Sequence, residues 1–102
     1  MEFRTIVDAG RATVILNGRL AFASYPDFRA ATMPLLELPG VSEIQLDMAS
    51  VAYLDSSALG MILYFKQKAE EVQKTLVISR PAPDIATILK IVNFQKLIPI
   101  IP

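Results

Sequence analysis

About twenty residues, Asp55 to Lys74, place their apolar side chains at helical spacing between two short runs of strand character, Val41 to Met48 and Thr75 to Ser79. At roughly 100° per residue, Leu59, Ile62, Leu63, Phe65, Ala69 and Val72 fall in one broad arc, and Gly60, Tyr64, Gln67, Lys68, Glu71 and Lys74 fall opposite. A strand, an amphipathic helix and a second strand form a crossover unit in which the helix lies on the sheet. Such crossovers are right-handed. Within the first of these strands Ile44, Leu46 and Met48 alternate with Glu43, Gln45 and Asp47, which predicts one apolar and one polar sheet face.

The rest of the chain extends this pattern in both directions. Phe3 to Val7 and Ala12 to Leu16 read as strands joined by the hairpin loop Asp8-Ala9-Gly10-Arg11, and Asn17-Gly18 is expected to break the second. Ser24-Tyr25-Pro26-Asp27 reads as a helix start with Ser24 as N-cap. Phe28, Leu35 and Leu36 lie on one face of that helix, and Pro39-Gly40 stops it. Pro81-Ala82-Pro83-Asp84 starts a third helix with Ile85, Ile88, Leu89 and Val92 on one stripe, and a short strand near Ile98 to Ile101 closes the chain. The order is β-β-α-β-α-β-α-β. It predicts an α/β fold with a mixed sheet of four to five strands, the first pair antiparallel and the helices mainly on one face. If every helix shares that face, each right-handed crossover steps the same way and the strands follow in sequential order. No repeat or linker divides residues 1–102, which are read as a single domain.

Composition narrows the chemistry. Apolar residues make up 53% of the chain, which excludes a disordered tail. Ten Lys plus Arg balance ten Asp plus Glu, so no basic excess supports nucleic-acid or acidic-membrane binding, and proteins are the expected partners. The chain has neither cysteine nor histidine, which removes thiolate chemistry, the usual zinc ligand sets and the commonest general base. No metal site, cofactor or catalytic residue is expected. Without a signal-peptide pattern or a membrane-spanning apolar run, the reading is cytoplasmic with no membrane insertion.

Asp55-Ser56-Ser57 stands where the strand hands over to the long helix. The free amides and dipole of a helix N-terminus favour a phosphate or carboxylate there, so a serine in the first turn can carry a phosphate without disturbing the fold. Helix starts also collect Asp and Ser for capping alone. Lys66 and Lys68 lie two or three turns from Ser56 and read as solvated charges, not as catalytic partners. Asp27, Glu37 and Glu43 show no metal-binding spacing.

The segment as a whole resembles the STAS family, particularly the bacterial anti-sigma-factor antagonists. The matching residues are the strand ending Leu46-Asp47, the lead-in Val51-Ala52-Tyr53-Leu54, and Asp55-Ser56-Ser57-Ala58-Leu59-Gly60. The likeness runs through Asn17-Gly18-Arg19-Leu20 and the Ile85 to Leu97 stretch, and so covers essentially the full chain. It implies that Ser56 is the phosphoacceptor and Ser57 a secondary site. Ala58 stands where members usually carry Gly, a difference expected to bear on the approach of a kinase. The implied function is a non-enzymatic partner switch in transcription regulation. The unmodified protein docks on an anti-sigma factor or related histidine-kinase-like serine kinase, phosphorylation releases it, and a serine phosphatase restores it. The expected docking surface joins Asp55, Ser56, Ser57, Gly60 and Tyr64 to Asn17 and Ser24. Two other functions compete with this one: an accessory STAS subunit of a lipid or other ABC transporter, which need not be phosphorylated, and a nucleotide-binding STAS module, for which no glycine-rich loop is present.

Overall fold

The computed structural model describes residues 1–102 and opens on a tight hairpin. Strands β1 (Glu2–Asp8) and β2 (Arg11–Leu20) are joined by Ala9-Gly10, both at positive φ (51° and 82°). Two left-handed residues in succession give the turn that matches the right-handed twist of paired strands. Asp8 and Arg11, expected in the loop, are instead the last cross-strand pair.

Strand β2 does not break at Asn17-Gly18. It continues to Leu20, and β3 (Glu43–Leu54) runs beside it beyond Met48, the expected end of that strand, through the lead-in Val51 to Leu54. The pairing jumps from Ile15 opposite Asp47 to Asn17 opposite Ser50, and again between Gly18 opposite Val51 and Arg19 opposite Tyr53. Each jump gives β3 one extra residue, a bulge that bends the strand while the ladder persists. Gly18 holds φ at 117°, and a Cβ there would stand 3.4 Å from Met1 Cα. The glycine therefore marks a bulge and a close backbone approach, not a strand end.

The α1 helix (Tyr25–Thr32) is shorter than expected and passes into a 3₁₀ segment, Met33–Glu37. Pro34 cannot donate the next helical hydrogen bond, so the chain tightens before Pro39-Gly40 is reached. Ser24 does not cap α1 through its side chain. Its hydroxyl donates to Arg19 O (2.9 Å) and accepts from Ala21 N (3.1 Å), tying up the link between β2 and α1.

Helix α2 (Ser56–Glu71), strand β4 (Thr75–Ser79), helix α3 (Pro83–Ile91) and strand β5 (Ile100–Ile101) complete the chain, and the five strands lie in sequential order. Only β1–β2 is antiparallel; the other neighbours are parallel. Ala12, Val14, Leu16, Ile44, Leu46, Met48, Leu76 and Ile78 bury one sheet face. They share a single core with Phe28 of α1, Ile62 and Phe65 of α2, and Ile85 and Leu89 of α3. Phe28 lies edge-on to Phe3 and to Phe65, with centroids 6.2 Å apart in each case. Thr13, Ile15, Gln45 and Val77, on the other face, are only half-buried. Asp47 keeps to the expected face, with Glu43 and Gln45, but is not solvated there. It is buried, accepting from Ala49 N (3.0 Å) with the Arg80 guanidinium 3.6 Å away.

The end of α2 also differs from expectation. Gln73 turns left-handed (φ 61°) and donates to Glu70 O, and Lys74 N donates to Ala69 O, which satisfies the last carbonyls of the helix. Val72 is therefore exposed. Lys74, expected on the helix arc opposite the apolar one, is 8% exposed, and its Nζ donates to Leu38 O (2.7 Å) and Val41 O (2.6 Å). A cation paired with two backbone carbonyls pins the turn that leads into β3.

Candidate functional site: the start of the long helix

Asp55 follows β3 and caps α2. Its backbone is extended (φ −108°, ψ 179°), and Oδ1 accepts from Ala58 N at 2.8 Å, an N-cap bond as the sequence suggests. Its other oxygen, Oδ2, accepts from Phe22 N at 3.3 Å. One carboxylate thus closes the first turn of α2 and holds the link between β2 and α1 against it. The backbone reinforces this contact, with Asp55 N donating to Leu20 O at 3.4 Å.

Ser56 and Ser57 follow in the first turn and are both exposed. The Ala58 amide is satisfied by Asp55 and Leu59 N donates to Asp55 O, whereas the Ser56 and Ser57 amides have no acceptor within the protein. The positive end of the α2 dipole therefore presents two unpaired donors beside two hydroxyls, a setting that favours added negative charge. Ala58 is fully buried. Its methyl faces the core and cannot meet a docked protein, contrary to the bearing on a kinase expected for it. The exchange for glycine is internal.

Down the same helix, Ser57, Gly60 and Tyr64 line an open depression with Phe22, Tyr25 and Met61. Phe22 is 76% exposed and Tyr64 42% exposed. A Cβ added to Gly60 would meet no atom within 4 Å, so the floor of the depression is open because that residue has no side chain. Tyr64 carries Lys68 Nζ 5.5 Å from its ring centroid. Arg29 Nη1 donates to the Tyr25 hydroxyl at 3.3 Å, and this bond raises the guanidinium pKa of a group already charged. Ser57 lines the depression, whereas Ser56, its exposed neighbour in the sequence, is not among the lining residues and stands about one turn before Gly60.

Two of the expected surface residues lie elsewhere. Asn17 is exposed in β2, opposite Glu2 and Ser50, and lines a separate depression with Glu2, Arg4 and Ile15. Ser24 is buried, and its hydroxyl is committed internally. The structure thus brings together Asp55, Ser56, Ser57, Gly60 and Tyr64, and leaves Asn17 and Ser24 out of that surface.

The model of the STAS domain matches residues 3–102. The chain belongs to the STAS domain family. A STAS-domain containing protein of Pseudomonas aeruginosa (strain UCBPP-PA14) is 32% identical over 90 residues, 88% of this chain and 87% of that protein. An anti-sigma factor antagonist from Mycobacterium paratuberculosis shares the fold with a TM-score of 0.85 at 15% identity, over 99% of this chain and 85% of its own. So does the Bacillus cell fate determinant SpoIIAA in its phosphorylated form, with a TM-score of 0.71 at 18% identity, over 97% of this chain and 90% of its own.

For this STAS domain, sequence reasoning missed Phe22, Tyr25 and Met61. Met61 was legible, since it follows Gly60 and lies one turn from Ser57. Phe22 was not, because its place opposite Gly60 depends on the long-range bond from its amide to Asp55. No helix is long and apolar enough to cross a membrane.

Proposed function

We propose that this STAS domain is a phosphorylation-controlled partner switch of the anti-sigma-factor-antagonist type, with Ser56 as the phosphoacceptor and Ser57 as a secondary site. In its unmodified form it docks on an anti-sigma factor or related histidine-kinase-like serine kinase. Phosphate on Ser56 releases it, and a serine phosphatase resets it. The observation that carries this reading is the exposed Ser56 hydroxyl in the first turn of α2, beside free amides and next to Ser57, which lines an aromatic depression. The existence of a fold neighbour in a phosphorylated form supports it.

The physical argument rests on desolvation. A neutral serine at the edge of an apolar contact exchanges hydrogen bonds freely. A phosphate there brings about −1.5 to −2 charges that must lose water against a surface with nothing to pair them. Uncompensated charge of this kind typically costs about 2–5 kcal/mol, roughly 30- to several-thousand-fold in affinity.

Phosphopeptide mass spectrometry of the protein isolated from its own cells tests the modification, and the expected site is Ser56. Affinity capture from the same cells, comparing unmodified protein, Ser56→Ala and protein with phosphoserine installed at position 56, tests the switch. The kinase is expected on the first two baits and absent from the third. Equal capture by all three would refute the switch.

A further inference from the structure

The two edges of the sheet are unlike. The β5 edge is two residues long and bracketed by Pro99 and Pro102, so it offers almost no template for another strand. The β1 edge is seven residues long, has β2 as its only neighbour and contains no proline. The Ala9-Gly10 turn makes Asp8 and Arg11 a hydrogen-bonded pair. Such pairs alternate along an antiparallel ladder. Ile6, Arg4 and Glu2 therefore also bond toward β2, while the amides and carbonyls of Val7, Thr5 and Phe3 point outward with no strand to meet.

The side chains of this edge are complementary to themselves from Arg4 to Asp8 in one register; an axis at Phe3 would also oppose Glu2 to Arg4 but would pair only Glu2 to Arg4 of the strand. Let a second β1 run antiparallel about a two-fold axis at Ile6. On the open sheet face, Ile6 then meets Ile6 of the second copy, and Arg4 of each copy lies opposite Asp8 of the other. On the helix-bearing face, Thr5 of each lies opposite Val7 of the other. Those are the outward-pointing residues, so they exchange backbone hydrogen bonds in the same register. An axis at Thr5 would oppose Glu2 to Asp8, and an axis at Arg4 would stack two guanidinium groups; like charges directly opposite are destabilising. Nothing overhangs the edge. Ile6 is 47% and Val7 54% exposed, although Val7 lies on the face that the helices cover elsewhere.

We propose that β1 is a self-association edge, through which a second copy of this chain pairs antiparallel about Ile6 to make one continuous sheet across the dimer. The contact is short and lies at the weak end of specific interfaces, so the dimer forms at high local concentration. Helix α2, which carries Ser56, packs against β4 and not against β1, so the proposed contact does not involve it.

Sedimentation equilibrium of the full chain from low micromolar to about 1 mM tests this, with mass expected to rise toward that of a dimer. Arg4→Asp and Asp8→Arg should each weaken association by about tenfold or more, and the combined exchange should restore it. Thr5→Pro should abolish it while leaving the hairpin intact, because the Thr5 amide does not serve the β1–β2 ladder. Amide exchange on the unsubstituted protein gives a second readout, with Thr5 and Val7 protected at high concentration and unprotected at low. A monomer throughout, growth beyond a dimer, protection independent of concentration, or a combined exchange no tighter than the single variants would each overturn the proposal.

Discussion

Asp55→Ala separates the roles of the residue that joins fold to site. Three contributions are lost together. The 2.8 Å bond to Ala58 N is an N-cap interaction, typically worth about 1 kcal/mol. Negative charge at the start of α2 adds roughly 0.3–1 kcal/mol through the helix dipole. The bond to Phe22 N, long at 3.3 Å and exposed, belongs at the low end of net hydrogen-bond values, about 0.5 kcal/mol. The expected loss is therefore about 2 kcal/mol, which for a domain of this size lowers Tm by roughly 8–16 °C. Asp55→Asn keeps a carbonyl oxygen for Ala58 but gives up the charge and offers Phe22 an amide that cannot accept, so it should lose about 1 kcal/mol. Urea denaturation followed by both far-ultraviolet circular dichroism and tyrosine fluorescence measures the two losses. Amide exchange at Phe22 should accelerate in both variants, and at Ala58 only in Asp55→Ala. If Asn proves as damaging as Ala, or if Phe22 exchange is unchanged in either variant, the two-sided role of the carboxylate is refuted.

Other substitutions test separate parts of the argument. Lys74→Met should cost about 2–3 kcal/mol, because it strands the carbonyls of Leu38 and Val41, where an ordinary surface lysine would change stability by about 0.5 kcal/mol or less; equilibrium denaturation decides. Gln73→Gly should raise stability by about 0.5–1 kcal/mol by relieving the left-handed backbone at the end of α2, seen as a higher denaturation midpoint at unchanged slope. Ser56→Asp should leave the circular dichroism spectrum unchanged and Tm equal or slightly higher, since an acid in the first helical turn is favourable; a melted domain would mean that the serine is structural. Gly60→Ala should stabilise the fold by about 0.8–1 kcal/mol while reducing capture of the proposed kinase partner, because the methyl enters the open depression and nothing else.

Where local pattern and tertiary structure agree, the sequence was readable. The long helix, its Asp55 cap and the sequential parallel strands follow from periodicity, one capping residue and crossover handedness. The misreadings share a different cause. Asn17-Gly18 carries the local signature of a break, yet the pairing of β2 with β3 carries the chain through it by giving β3 the extra residues. Lys74 has the chemistry of a surface charge, and only the return of Leu38 and Val41 to the same place makes two carbonyls available to it. Ser24 looks like a cap because serine before Tyr-Pro-Asp does so often; the carbonyl of Arg19 takes its proton instead. Each depends on a partner far away in the chain or on an unforeseen turn of the backbone, which periodicity does not encode. The same holds at the site. Ser56, Ser57, Gly60 and Tyr64 lie on one helix and could be placed by counting, whereas Phe22 comes from another element.

Gly60 shows how the site and the fold make opposite demands on one helix. A glycine inside an exposed helical stretch costs roughly 0.8–1 kcal/mol relative to alanine, and nothing in the fold requires it. Its φ is not left-handed, and the space beside it is open. The cost is offset at the start of the helix, where the Asp55 carboxylate contributes stability of similar size to α2. That carboxylate also holds the Phe22 backbone, so the residue that strengthens the helix positions the aromatic wall facing the gap that Gly60 leaves. In the proposed switch, the bare helix surface between Phe22 and Tyr64 is where a partner's side chain would approach the α2 backbone, about one turn from Ser56. Stability at the helix start and openness one turn later are thus linked through Asp55. A substitution that repairs the glycine should stabilise the domain and impair its docking together.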